Sequence, residues 1–114
     1  MSYLNILRNK NFFKVVKVDI ENQTFYLREL SVGAKIELLK GRNLTDATPE
    51  VYADYFTDMV FACLCDENGK LTENPEEYGE LRKVMPDSIL TKLRDEVLSL
   101  NGLTNKDSDD LKKS

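Results

Sequence analysis

The chain has 114 residues, of which 41% are hydrophobic and 32% charged, and its 16 Lys and Arg against 20 Asp and Glu give a formal charge of −4. A chain of this length accommodates one domain, which buries roughly two thirds of the surface its unfolded form exposes and needs neither disulfide nor metal to fold. The acidic balance disfavours DNA, RNA and anionic membrane as partners, and the lack of histidine removes the side chain best suited to proton transfer near neutral pH and to most zinc sites.

Met1 to Arg8 lacks the basic start, long apolar run and small-residue cleavage site of a secretory signal, so none is expected. Nowhere does an apolar stretch approach the ~20 residues of a membrane-spanning helix. Lys14 to Ile20 alternates, with Val16, Val18 and Ile20 on one face and Lys17 and Asp19 on the other, the period of a half-buried strand. Thr24 to Leu30 repeats the pattern with Phe25 and Leu27 inward. The polar link Glu21-Asn22-Gln23 joins them as a β-hairpin, Asn22 tolerating the left-handed conformation of a tight turn.

Ser31 then caps a short helix with Val32, Ile36 and Leu39 on one stripe, and Gly41 ends it. Thr48-Pro49-Glu50 supplies a cap, a first-turn proline and an acid at the positive end of the dipole of a long helix. Val51, Tyr52, Tyr55, Phe56, Met59, Ala62 and Cys63 fill an arc of about 140° on it, the width of a central helix with several neighbours. Cys63 and Cys65, the two thiols, would point about 200° apart on that helix, so they read as unpaired thiols of a reducing compartment, the cytoplasm. Asp66-Glu67-Asn68-Gly69-Lys70 is a turn, and Leu71-Thr72 is the place for a very short strand. Asn74-Pro75-Glu76-Glu77 opens a small helix through Tyr78, Leu81 and Val84, broken by Pro86. The last helix runs from about Asp87 or Ser88 to Leu100, apolar along Ile89, Leu90, Leu93, Val97 and Leu100, and Asn101-Gly102 stops it. From Thr104 onward one apolar residue cannot offset the entropy of ordering. The expectation is one α+β domain over 1–103, an N-terminal antiparallel β-hairpin packed on three to four α-helices, with a flexible, disordered tail over 104–114.

Candidate chemistry is sparse. The carboxylate pairs Glu76-Glu77 and Asp109-Asp110 read as solvated surface. Asp66 and Asn68 suggest the first and third positions of a calcium loop, with Glu77 at the twelfth, but Gly69 stands fourth instead of sixth and Lys70 holds the fifth, ligand, place. The five glycines are scattered, leaving no phosphate loop. No catalytic residue, metal or cofactor is therefore assigned, and the chain reads as a protein binder instead of an enzyme. An enzyme working through carboxylates alone would need a deep pocket where at least two buried acids converge. Arg8, Lys10, Lys14 and Lys17, interleaved with Phe12 and Phe13, form the one basic stretch. It is the wet face of the first strand or, on the alternative reading of an adaptor or regulatory module, a nucleic-acid strip. Phe61 and Leu64, with Cys65, share the side of the long helix that carries Asp54, Thr57 and Asp58. Two readings are open for them, a second core layer or a partner surface.

Read in order, several segments resemble the tail assembly chaperones of long-tailed, siphovirus-type bacteriophages over roughly residues 13 to 103. The likeness runs through a strand leading into Phe25-Tyr26-Leu27-Arg28-Glu29-Leu30-Ser31 and a helix, then a long helix closing on Val60-Phe61-Ala62-Cys63-Leu64-Cys65 before Asp66-Glu67-Asn68-Gly69-Lys70. It continues in Asn74-Pro75-Glu76-Glu77-Tyr78 with Leu81, and in Leu93, Val97 and Leu98 up to Leu100-Asn101-Gly102-Leu103. The resemblance implies a protein of the bacterial host cytoplasm that coats the tape measure protein, keeps its apolar helices soluble, recruits tail-tube protein and leaves the finished tail. Weak self-association and a longer, frameshifted form also belong to what it implies. It brings no catalytic residue and no motif for single contact positions. The partner-binding candidates are the apolar residues Phe61, Leu64, Leu98 and Leu103.

Overall fold

A computed structural model describes residues 2–102. The two alternating segments form β1 (Val15–Ile20) and β2 (Gln23–Arg28), antiparallel with Val16 opposite Leu27 and Val18 opposite Phe25. Their link is one residue shorter than the composition suggests, because Gln23 already pairs with Ile20. Glu21 and Asn22 alone make the turn, with φ of 51° and 65°, the left-handed pair that matches the twist of a two-residue hairpin. Before the sheet, Tyr3–Asn9 form α1, a helix the sequence reading left unassigned.

Ser31 caps α2 (Val32–Leu39), its hydroxyl accepting from the Ala34 N–H at 3.1 Å. Thr48 caps α3 (Pro49–Cys63) with Pro49 in the first turn, as the cap-proline-acid pattern requires. The expectation that α3 continues through Cys65 is corrected. It stops at Cys63, Leu64 turns extended, and Leu64–Cys65 become β3, which pairs antiparallel with Tyr26 and Leu27 of β2. A continuous apolar run carries no period to separate a buried helix end from a buried strand. The sheet order is β1-β2-β3, which makes β2 central and leaves Leu27 fully buried. The short strand expected at Leu71-Thr72 is reduced to one bridge, Leu71 to Cys65.

The 66–70 turn is held by the Asp66 carboxylate, which accepts from the N–H groups of Asn68 and Lys70 at 2.9 and 3.0 Å. Gly69 sits there at φ 82°, against Asn11 of the segment before the sheet and Val15 at the start of β1. Asn74 caps a 3₁₀ turn (Pro75–Glu77) that runs into α4 (Tyr78–Val84), and Pro86 precedes α5 (Asp87–Leu100). Helix α5 packs on α3 and on the backs of β1 and β2, burying Leu93, Val97 and Leu98 against Phe56, Met59, Val60 and Leu27 in one core. Asn101, read as a helix stop, is also a clamp. Its Oδ1 accepts from the Leu30 N–H at 2.8 Å, while its Nδ2 donates to the Val97 carbonyl at 2.9 Å and reaches Cys63 Sγ at 3.8 Å.

The α+β class stands, with a third strand and five helices where a hairpin on three to four was expected. The tail read for 104–114, like Leu103, lies outside the described residues. Among those described, no helix is long and apolar enough to cross a membrane.

Candidate functional site

Three of the four partner-binding candidates are core residues. Phe61 is 1% exposed, with its ring edge-on to Tyr78 at 5.3 Å; Leu64 sits in β3 opposite Leu27; Leu98 is buried in α5. In this structure none of the three is exposed to meet a partner: Phe61 on α3 lies against the Tyr78 ring, Leu64 in β3 pairs beside Leu27, and Leu98 on α5 belongs to the same core. For Phe61 and Leu64 the second-core-layer reading is the one that fits. Leu103, the fourth candidate, falls outside the described residues.

The basic stretch divides. Lys14 and Lys17 are exposed on and beside β1, but the Phe13 ring is covered by the Arg28 guanidinium, 3.9 Å from its centroid. That face cannot stack on a base without displacing Arg28.

Apolar surface lies where the sequence reading put core. On α2 the expected inward stripe faces out, with Val32 78%, Ile36 62% and Leu39 46% exposed, while Ala34 and Leu38 turn toward the core. The helix is apolar around most of its circumference, so its pattern did not select the buried face. Helix α1 likewise exposes Tyr3, Leu4 and Leu7, with only Ile6 half-buried.

Between α2 and α3 runs the main concavity, an open groove of about 1260 Å³. Its walls are α2, the 40–48 linker, one side of α3 from Glu50 to Ala62 and the 71–78 arm, and its apolar lining includes Ala34, Leu38, Ala47, Val51, Ala62 and Tyr78. A four-membered ion cluster fixes these walls. Arg42 Nη2 donates to Asp54 at 2.8 Å and to Asp58 at 2.6 Å, Arg82 donates to the same two carboxylates at 2.7 and 2.6 Å, and Arg42 Nη1 closes on the Leu38 carbonyl at 2.7 Å. Asp54 and Asp58 stand one helical turn apart, where like charges repel unless cations bridge them. Partial burial works to raise the Asp54 pKa, but hydrogen bonds and charge from Arg42 and Arg82 hold it below the usual carboxylate range. Both Asp54 and Asp58 are thereby occupied by arginine. Tyr78, at the groove wall, has its hydroxyl pKa raised, first by burial and then by the negative charge of Asp58. The Cys63 thiol is pushed up to about 12 by burial, against a small opposing pull from Asn101, so it is an inert core residue. Among the described residues no group of three or more Cys, Asp or Glu is arranged to hold a metal.

No family model matches the chain, and no curated protein matches it. A solved structure does: the tail assembly chaperone of bacteriophage HK97 superposes with a TM-score of 0.59 at 19% identity, covering 85% of this chain and 95% of that one. Over that span the chain has the fold of that phage tail assembly chaperone.

Proposed function

We propose that the chain is a phage tail assembly chaperone. It binds the tape measure protein, keeps the apolar helices of that client from aggregating, helps to bring tail-tube subunits to it, and is absent from the finished virion. The observation that carries this reading is the shared fold with the HK97 tail assembly chaperone over nearly the whole domain. The physical character of the surface supports it. A holdase needs apolar area not already used in its own core, together with a net charge that keeps the complex in solution. Helices α1 and α2 and the α2–α3 groove supply the first, and the charge of −4 supplies the second.

On this reading the protein works in the bacterial cytoplasm, where tails are built, and carries out no bond chemistry. Among the described residues Asp54 and Asp58 are the closest approach to a catalytic carboxylate pair; both are engaged by Arg42 and Arg82, whose hydrogen bonds and charge hold the Asp54 pKa below the usual carboxylate range. Co-expression with the tape measure protein of the same genome tests the proposal. The client is expected to move from the insoluble to the soluble fraction and to copurify with the chain; a client equally insoluble with and without it would refute the reading.

A further inference from the structure

Three of the arginines packed on the domain are matched to partners. Arg28 covers the Phe13 ring and donates to the Gly69 carbonyl, while Arg42 and Arg82 share Asp54 and Asp58. Arg94, half-buried on α5, is different. It makes no ion pair or hydrogen bond with the described residues, and its Nε–H is closed off from solvent without an acceptor. A buried donor on a charged group left unmatched in this way calls for a partner. Arg94 also lines both of two adjoining recesses at the seam of α3 and α5. The larger, about 210 Å³, is walled by Ala47, Pro49, Tyr52, Ala53 and Phe56. The smaller, about 80 Å³, shares Ala53 and Phe56 and adds Leu90 and Asp87 from α5. Asp87 is the one acid on either wall, and it makes no ion pair among the described residues. On α3 the recess residues face about 180° away from those lining the α2–α3 groove, so this is a separate surface.

We infer that the Arg94 recesses are a socket for a segment of a partner protein that carries an aspartate or glutamate beside a leucine or methionine. The guanidinium takes the carboxylate and the larger recess takes the apolar side chain. Size selects a side chain over a metabolite, because about 210 Å³ falls below the roughly 300–1,000 Å³ of small-molecule sites. Charge selects an acid, since Arg94 is the only cation on the walls and its planar fork matches a carboxylate. A phosphoryl group carries up to about two negative charges, and these walls hold no second cation to meet it. The rest of the lining of the larger recess is apolar but for the Tyr52 hydroxyl, which donates to the Leu44 carbonyl. An apolar hollow beside one arginine is the make-up of an interface hot spot. The socket is drawn from the surroundings of Arg94 alone, so it stands independently of the chaperone reading and leaves the groove free to act at the same time.

The probe is a short peptide, acetyl-Asp-Asp-Leu-Asp-Asp-amide, titrated into the full ¹⁵N-labelled chain and followed by NMR. One anchored side chain gives a weak complex, so a Kd of about 1 mM is expected. Saturable shifts should centre on the Arg94 Nε–H and on the amides of Ala53, Phe56 and Leu90. A peptide with Asn for Asp, and one with Ala for Leu, should each bind about tenfold or more weakly. Two variants test the socket from opposite sides. Arg94→Gln removes the cation, and Ala53→Glu, at an exposed position on α3, puts a carboxylate of the chain's own into the recess. Each should lose the shifts while keeping the far-UV circular dichroism of the wild type. Should Arg94→Gln fail to fold, Ala53→Glu decides alone. No saturable shift with up to about 10 mM peptide, equal binding of the Asn peptide, or shifts that persist in a folded variant would each overturn the inference. So would binding that appears only after removal of residues 103–114, which would make that segment, and not a partner, the occupant of the socket.

Discussion

Replacing Arg42 by Met isolates the ion cluster that joins the walls of the groove. Methionine keeps an apolar stem near the Tyr55 ring but removes the contacts to Asp54, Asp58 and the Leu38 carbonyl. An exposed ion pair contributes about 0.2–1 kcal/mol, and breaking a fully buried one costs about 3–5 kcal/mol. The side chains of Arg42 and Asp58 are only 17% and 19% exposed, which argues for the upper part of that span. Asp54 is 47% exposed and screened by solvent, and both acids keep Arg82, which argues against the top of it. The expected loss is about 2 kcal/mol, measured by urea unfolding followed by circular dichroism. A cycle with Asp58→Asn should return a coupling of about 1 kcal/mol. The penalty must also depend on pH. The arginines depress the Asp54 pKa in the folded state, so the stabilisation is complete above the ordinary carboxylate pKa and is lost as pH falls through the lower, folded value. The gap between wild type and Arg42→Met should therefore narrow below about pH 4. A loss under about 0.5 kcal/mol at pH 7, or a gap that stays constant into acid, would refute the reasoning.

Three further variants test how the frame is held. Asn101→Ala leaves the Leu30 N–H without its acceptor in a residue 8% exposed, and it should cost about 2 kcal/mol in urea; retention of wild-type stability would mean that this clamp holds nothing. Gly69→Ala places a side chain at φ 82°, with Cβ 2.8 Å from Asn11 Nδ2 and 3.1 Å from Val15, and should cost about 1–2 kcal/mol, read as a lower Tm. In the hairpin turn, where Glu21 adopts the left-handed conformation its side chain disfavours, Glu21→Asn with Asn22→Gly should raise stability by about 1 kcal/mol; an unchanged urea midpoint would contradict the turn geometry.

Local signals are legible where one residue does one job. Ser31, Thr48-Pro49 and Asn74 each start a helix or turn as their side chains dictate, and the alternation through Val16, Val18 and Ile20 finds its register against β2. What escaped the sequence is burial that depends on distant segments. In α2, Val32, Ile36 and Leu39 are as apolar as any core stripe, and only the position of α3 and its linker turns Leu38 inward in their place. Along Val60 to Cys65 the run has no period, so the switch from α3 to β3, set by the free edge of β2, left no local mark. The candidate site was missed for the same reason. The groove is made by four segments between residues 34 and 78, and the Arg42–Asp54–Asp58–Arg82 cluster links three elements through spacings that no motif records. Asp54 and Asp58, one turn apart on a helix, were the one legible hint, as a like-charged pair that calls for cations nearby.

The central claim is that this fold shields an aggregation-prone helical client. The direct measurement is light scattering as denatured tape measure protein is diluted into buffer with increasing amounts of the purified chain. The account predicts suppression that rises with added chain and saturates at a fixed molar ratio, with the chain and client then eluting as one soluble complex. Scattering that is the same with and without the chain would contradict it.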